Sequence, residues 1–296
     1  MAVEIADWND LDNVRNDLTG DYVLVNDLNE NTDGYAGIGD SFAPIGYRDN
    51  IFTGSFDGGG YSITDIEIVR SAAEDGVALF GWVENATIEN IHISGVLNTT
   101  DEDFQYYGGL VGITNPGTVT NCSSSVDVTT NGGYSGGLVA RHNGGTVTDS
   151  YATGSVEGDD RVGGLVGLNR DTITDSYAVG LVTGNTLVGG LVGDDDLGLG
   201  TTEDSYWDTE ATGQDTSAGG TALTTFEMQG SEAETNMDGF DFADVWDAVL
   251  ESDSDTTADG YPILLALDRE SQLEAQEIED SVDPPEPPQN LTAELL

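Results

Sequence analysis

The string Gly-Gly-Leu-Val-Gly occupies residues 108–112, 163–167 and 189–193, and a near copy, Gly-Gly-Leu-Val-Ala, occupies residues 136–140. Successive copies begin 28, 27 and 26 residues apart. A second string alternates with the first: TVTNCSSSV from Thr118, TVTDSYATGSV from Thr146 and TITDSYAVGLV from Thr172. Self-similarity at a fixed interval of this size is typical of a repeat protein, in which each unit buries its apolar face against its neighbours.

Each repeat contains three short runs that favour β-strands, separated by Gly, Asn or Asp. Three such strands close one triangular coil, and stacked coils form an all-β, right-handed parallel β-helix. With degenerate copies near residues 51 and 76, we expect roughly six coils and a rod about 30 Å long. The paired glycines are expected to allow positive φ and close backbone approach at a corner. Three files should point inward: Leu110, Leu138, Leu165 and Leu191; Val119, Val147 and Ile173; and Cys122, Ser150, Ser176 and Ser205.

The repeat GGLVG…TVTDSYATGSV resembles the GLUG motif of large bacterial and archaeal surface proteins. Residues 6–68 look like the cap that precedes such repeats, and residues 204–267 look like their usual C-terminal closure. The resemblance covers about residues 5–267. It implies the β-helix architecture and surface display, and it carries no catalytic residues.

The chain divides into four predicted segments. Residues 1–75 form an N-terminal cap with the first degenerate coils, including an amphipathic helix over residues 8–18. Residues 76–205 form the regular coils, and residues 206–267 close the β-helix. Residues 268–296 form an acidic helix and a proline-rich tether to a larger parent particle or polypeptide.

The charge is extreme, with 56 acidic residues, seven arginines, no lysine and a formal net charge of −49. Such a chain cannot neutralise phosphates, so the sequence argues against nucleic-acid binding and against an anionic membrane surface. No apolar run is long enough to insert in a membrane. At about 1 M salt the screening length is roughly 3 Å, which makes a dense carboxylate surface tolerable. The composition therefore favours a halophilic protein; an acidic secreted protein that uses divalent cations is the alternative.

A file of acidic residues, Asp149, Asp175 and Asp204, follows Asn90 and Asn121 at matching positions. One interpretation is a stripe that binds Ca²⁺ or other cations from high salt; the other is an Asx ladder that forms turns. Asp194, Asp195 and Asp196 form a second acidic cluster, as do Asp253 and Asp255. We expect that no cofactor is required.

Other candidate binding residues are aromatic or basic. Tyr151, Tyr177 and Tyr206 form a file that either holds sugar rings or packs internally. Arg141 and Arg170 are predicted to occupy matching loops and to form one small positive spot, or simply to neutralise carboxylates. Neither His92 nor His142 lies beside a Ser or Cys motif, so no hydrolytic triad is predicted.

These features predict a non-enzymatic structural or attachment protein of a halophile, on an extracellular or virion surface. The sequence MAVEIADWNDLDNVRNDL has no signal-peptide pattern, which favours a virion fibre or spike over a cell-surface adhesin. The expected partners are a surface glycan or surface protein of a cell, and a homotrimer is one arrangement of fibres. A polysaccharide-active enzyme on the same fold is the main alternative, and a spacer that binds nothing is another.

Folding should depend on salt. Lowering the salt to 0.1 M extends the screening length to about 10 Å, so neighbouring carboxylates repel one another. Circular dichroism should show loss of the β signal as KCl or NaCl is diluted. An unchanged spectrum in dilute buffer with chelator would rule out both the halophile interpretation and a structural role for calcium.

Overall fold

A computed structural model describes residues 1–69, 75–99, 105–250, 253 and 258–276 of the chain. Across these residues the backbone winds into stacked coils, and each strand pairs in parallel with its equivalent in the next coil. Five consecutive strands stack in each of the two shorter parallel sheets described. The predicted all-β parallel β-helix is confirmed.

Three parallel sheets form the walls of the coils. The long sheet runs the length of the molecule and contains Val3–Ile5, Asp21–Leu24, Ser55–Asp57, Ser62–Ile68, Ala86–Thr99, Gly117–Thr130, Gly145–Ala152, Val156–Glu157, Thr172–Thr174, Tyr177–Ala178, Val182–Thr183, Thr201–Glu203, Tyr206–Asp208 and Thr221–Leu223. The second sheet contains Gly76–Val77, Tyr106–Gly108, Tyr134–Gly136, Asp160–Gly163 and Thr186–Gly189. The third contains Phe80–Val83, Val111–Thr114, Val139–His142, Val166–Asn169 and Val192–Asp194.

The predicted inner files are in register. Val119 pairs with Val147, which pairs with Ile173, and all three are fully buried. The leucine file is also fully buried, and the backbone amide of Leu138 donates to the carbonyl of Leu165 at 3.0 Å. Cys122 pairs with Ser150 in the third file, and burial raises the pKa of its thiol to about 12. Cys122 is therefore a core residue, as expected.

The glycines of the repeat are needed where two backbones touch. A Cβ atom at Gly136 would lie 2.1 Å from the carbonyl oxygen of Val139, and one at Gly163 would lie 2.0 Å from the carbonyl oxygen of Val166. These contacts press the third sheet against the second. The prediction of positive φ at the paired glycines was wrong, because none of these positions has a positive φ.

The second glycine of each pair faces a file of small residues on the long sheet. A Cβ at Gly164 would lie 2.9 Å from the Cβ of Ala178 and 2.2 Å from the carbonyl oxygen of Gly190. In the next coil Trp207 takes the place of Ala178, and its ring lies against Gly190. Beyond Trp207 the strand Thr221–Leu223 still pairs in parallel on the long sheet.

The helices are short and lie at the ends or outside the coils. Four are α-helical: Trp8–Asn13, Thr209–Thr212, Gly230–Asn236 and Arg269–Glu274. Three are 3₁₀-helical: Val14–Asn16, Gly39–Ser41 and Phe226–Met228. The predicted helix over residues 8–18 is present but shorter. The carboxylate of Asp7 caps its start, and Trp8 and Leu11 are buried against the first coil.

The segment after the last coil does more than close the end. Residues 237–250 and 258–276, here called the C-terminal strap, pack against the outer face of the long sheet and contain the antiparallel pair Trp246–Asp247 and Ile263–Leu264. The backbone amide of Asp268 donates to the carbonyl of Gly60 at 3.0 Å, near the opposite end of the rod. Within the segment predicted as an acidic helix and tether, residues 268–296, the structure has a helix at Arg269–Glu274, and Leu273 is buried. Residues 277–296 of that segment lie outside the described residues.

Replacing Gly164 by Ala should lower the free energy of unfolding by about 2 kcal/mol, because the added methyl group must displace backbone rather than a mobile side chain. Chemical denaturation in high salt measures this loss. Gly144→Ala is the control, since its nearest neighbour is the Pro116 side chain at 3.2 Å. Equal losses in both variants would contradict the backbone-contact explanation.

Candidate functional site

The tyrosine file is an internal packing surface. Tyr151, Tyr177 and Tyr206 pair in register, and the first two rings stack at 4.8 Å with an angle of 2° between their planes. All three side chains are buried under the C-terminal strap. The interpretation of this file as an open sugar-binding surface was therefore wrong, because the strap already occupies it.

The tyrosine hydroxyls attach the strap to the coils. Tyr151 donates to Oε1 of Gln272 at 3.0 Å, Tyr177 to the carbonyl of Pro262 at 2.6 Å, and Tyr206 to the carbonyl of Asp238 at 2.7 Å. The Gln272 amide is fully buried and also bonds both backbone groups of Leu264. Buried polar groups that are satisfied in this way fix one geometry, so the strap is a specific part of the fold.

Both histidines lie beside hydroxyl groups, which sequence reasoning missed. Nδ1 of His92 is 2.7 Å from Oγ of Ser123, and Nδ1 of His142 is 2.7 Å from Oγ1 of Thr114. These contacts could have been predicted, because the partners are 31 and 28 residues apart in the sequence, which is the length of one coil. All four residues are buried, and desolvation lowers the pKa of each histidine to about 4. These neutral imidazoles are core groups without access to a substrate.

The Asx file marks one left-handed backbone position in successive coils of the long sheet. Asn90, Asn121, Asp149, Asp175 and Asp204 all adopt left-handed backbone conformations, with φ between 43° and 55°. Nδ2 of Asn121 donates to Oδ1 of Asn90 at 3.2 Å, which continues the file as an amide ladder at one end. Burial, and then the neighbouring carboxylates Asp149 and Asp204, raise the pKa of Asp175. Burial is also the main reason that the pKa of Asp149 is raised.

In the second acidic cluster, residues 194–196, two of the three carboxylates form ion pairs with arginines. Oδ2 of Asp194 accepts from Nε of Arg161 at 2.7 Å, and Oδ2 of Asp196 lies 2.7 Å from Nε of Arg170. The backbone carbonyl of Asp195 accepts from the amides of residues 199 and 200 instead. Within the described ranges, no group of three or more His, Cys, Asp or Glu is arranged to hold a metal ion. The predicted cation sites therefore have no set of ligands there, and Asp255 lies outside these ranges.

Arg141 and Arg170 do come together, although not at matching positions. Arg141 pairs in register with Leu168, two residues before Arg170. Oδ1 of Asn143 joins the two guanidinium groups, because it accepts from Nε of Arg141 at 3.1 Å and from Nη1 of Arg170 at 3.2 Å. The predicted positive spot is thus a bonded cluster that includes the carboxylate of Asp196.

Arg161 belongs to the same surface and was not predicted there. Its guanidinium carbon lies 4.7 Å from the ring centre of Tyr134, and that of Arg141 lies 5.3 Å from the ring centre of Tyr106. The two tyrosine rings are in edge contact at 5.3 Å. Tyr106, Tyr134, Arg141, Arg161 and Arg170 are all partly exposed and are called the arginine–tyrosine patch below.

A separate polar pocket of about 480 Å³ lies beside the N-terminal helix. It is open to solvent and lined by Ala6, Asp7, Asn26, Asp27, Asn29, Asn31, Thr32 and Asp33. Several of these oxygens are used internally; Oδ1 of Asp27, for example, accepts from both the amide and the hydroxyl of Ser62. In the described part of the chain, no helix is long and apolar enough to cross a membrane.

The coil geometry and the repeated GGLVG corner define a parallel β-helix built from repeats of 26–28 residues. Residues 105–129 match the family profile of the GLUG motif. A stretch of 133 residues, or 44% of this chain, is 35% identical to halomucin from Haloquadratum walsbyi. This chain spans about 1% of the length of that relative.

A similar fold occurs in the crystal structure of a candidate immunoglobulin A1 protease from Bacteroides ovatus. The two chains superpose with a TM-score of 0.59, covering 90% of this chain and 93% of the other. Their sequences are 18% identical, so this similarity is evidence for the fold alone.

Asp175→Asn should stabilise the protein by about 0.5 kcal/mol at pH 7, because it removes a charge that faces like charges in adjacent coils. Asn suits a left-handed position, as Asn121 shows. A carboxyl group whose pKa is raised on folding disfavours the folded state above that pKa, and this penalty disappears as pH falls through it. The advantage of the variant should therefore shrink in acid.

Thermal unfolding in high salt at several pH values measures the effect. Asp159→Asn, on an exposed turn, is the control and should change stability little. A variant less stable than the parent at neutral pH would show that the charge of Asp175 stabilises the file, as a bound cation would require.

Proposed function

We propose that this chain is a non-enzymatic structural module of a surface-displayed protein of a halophile, and that it takes part in attachment. The similarity to a stretch of halomucin carries this proposal, since that relative belongs to Haloquadratum walsbyi and its name describes a mucin-like protein. The net charge of −49 supports it, because such a surface is suited to concentrated salt.

The architecture supports a structural role. Each coil is held by its two neighbours through backbone hydrogen bonds along three sheets, which makes a stiff rod. The terminal strap adds hydrogen bonds that tie residues far apart in the rod, such as Asp268 and Gly60. A stiff, strongly hydrated element suits display at a distance from a particle or cell.

The placement of the reactive side chains supports a non-enzymatic role. His92 and His142 are buried and neutral, and Cys122 is buried with a raised pKa. General acid–base or nucleophilic catalysis requires such groups to reach a substrate. The polysaccharide-active alternative would have to rely on other side chains, such as exposed carboxylates or the partly exposed arginines.

A more specific proposal concerns the surface on which the protein is displayed and the molecules that it contacts. We favour a virion fibre or spike that contacts a glycan or protein on the host surface; a cell-surface adhesin of a halophilic archaeon is the alternative. A homotrimer is proposed for the fibre arrangement, and residues 277–296 are proposed to connect the rod to its larger parent.

Mass spectrometry of purified virions and of washed cell envelopes from the source culture tests this proposal. We expect the chain in virions at a fixed ratio to the capsid protein. Recovery in envelopes alone would support the cellular adhesin instead. Recovery only as a free cytosolic monomer would contradict surface display in both forms.

The same preparation provides the control for activity. Reducing-end assays on neutral and acidic polysaccharides, in about 2–4 M salt so that the carboxylates are screened, should show no turnover. Sustained turnover that is lost in a variant lacking an exposed carboxylate would contradict the non-enzymatic proposal.

A further inference from the structure

We propose that the arginine–tyrosine patch binds the carboxylate or sulfate groups of an anionic glycan. The inference rests on the proposed function, for which it names the class of ligand and the face of the rod. It differs from the predicted sugar-binding role of the buried tyrosine file, because the patch is partly exposed and lies on the second and third sheets.

The first argument is the distribution of charge. The chain has seven basic residues in all, and three of them lie in this patch. Their positive charges face the carboxylates of Asp160, Asp194 and Asp196, so the patch is close to neutral on a rod that is otherwise acidic. An anionic ligand therefore meets less repulsion here than elsewhere. At about 1 M salt, screening within roughly 3 Å leaves direct contacts to decide binding.

The second argument is that the guanidinium groups are held in place. The carboxylate of Asp194 and the Tyr134 ring fix Arg161, while the Tyr106 hydroxyl and Asn143 fix Arg141. An arginine that is already ordered loses less entropy when it binds a ligand.

Each guanidinium also keeps donors for a ligand. An arginine carries five N–H donors, and the contacts of these three side chains with protein groups involve Nε and Nη1. In the ranges that the structure describes, no protein group accepts a hydrogen bond from Nη2 of Arg141, Arg161 or Arg170. Carboxylate and sulfate oxygens are the acceptors that match such donors.

The third argument is that the coil does not require these residues. Arg161 and Leu187 occupy equivalent left-handed positions in adjacent coils, with φ of 51° and 52°. The position of Arg141 is filled by Ile113 in the preceding coil and by Leu168 in the next, and both are buried. The core files keep one type of side chain at these levels, whereas these outer positions change from coil to coil.

Titration calorimetry with the full chain in about 2 M KCl, where surface charges are screened, tests the inference. The probes are polygalacturonate for carboxylates, dextran sulfate for sulfates, and unmodified dextran as the neutral comparison. We expect one or both polyanions to bind and dextran not to bind. The variant R141Q/R161Q/R170Q should lose at least tenfold in affinity, while Arg15→Gln, outside the patch, should change it less than twofold.

Circular dichroism should show the same unfolding temperature for the variants that are compared. If the triple variant does not fold, Arg170→Gln alone, at a side chain 34% exposed, should still weaken binding several-fold. Absence of binding to both polyanions, equal binding of dextran, or full affinity in the arginine variants would overturn the inference. Surface display that persists while the arginine variants still attach to cells would overturn it without affecting the proposed function.

Discussion

Direct contact between two backbones at the glycines of each coil is the constraint on which the structure depends. Gly136 and Gly163 lie so close to neighbouring carbonyl oxygens that a side chain at either position has no room. The contact folds the second sheet onto the third and directs the intervening leucine into the centre of the coil. Parallel pairing then copies this geometry from coil to coil, so one local feature sets the shape of the rod.

Stacking also multiplies whatever each position carries. Apolar files stabilise the fold, because every added leucine or valine is buried between identical neighbours. Acidic files destabilise the fold, because the carboxylates of Asp149, Asp175 and Asp204 lie in adjacent coils and repel one another. Burial together with this like charge raises the pKa of Asp175. Screening in concentrated salt reduces the second effect without weakening the first. A repeat protein with this surface is therefore better matched to brine than to dilute buffer.

The sequence predicted the fold well because a repeat reports the register directly. Matching copies placed Val119 beside Val147 and Cys122 beside Ser150, and both pairs were confirmed. The C-terminal strap could not be predicted in the same way, since its sequence is not repeated and Gln272 bonds a residue 121 positions earlier in the chain. That omission led to the wrong interpretation of Tyr151, whose hydroxyl bonds Gln272. Arg161 was missed because its partners, Tyr134 and Asp194, lie one coil away on different sheets.

These outcomes separate two kinds of position in the coil. Where the repeat is regular, a side chain packs against the equivalent residues of the two adjacent coils, and this packing explains which residue type is present. Where the repeat changes, as from Arg161 to Leu187, stacking does not account for the choice of residue. The strap removes the regular tyrosine file from solvent but leaves the irregular file on the opposite sheets partly exposed. A periodic surface presents the same contacts at every coil, so a ligand has no single place to bind. We therefore expect specific ligand recognition where the surface residues differ from coil to coil.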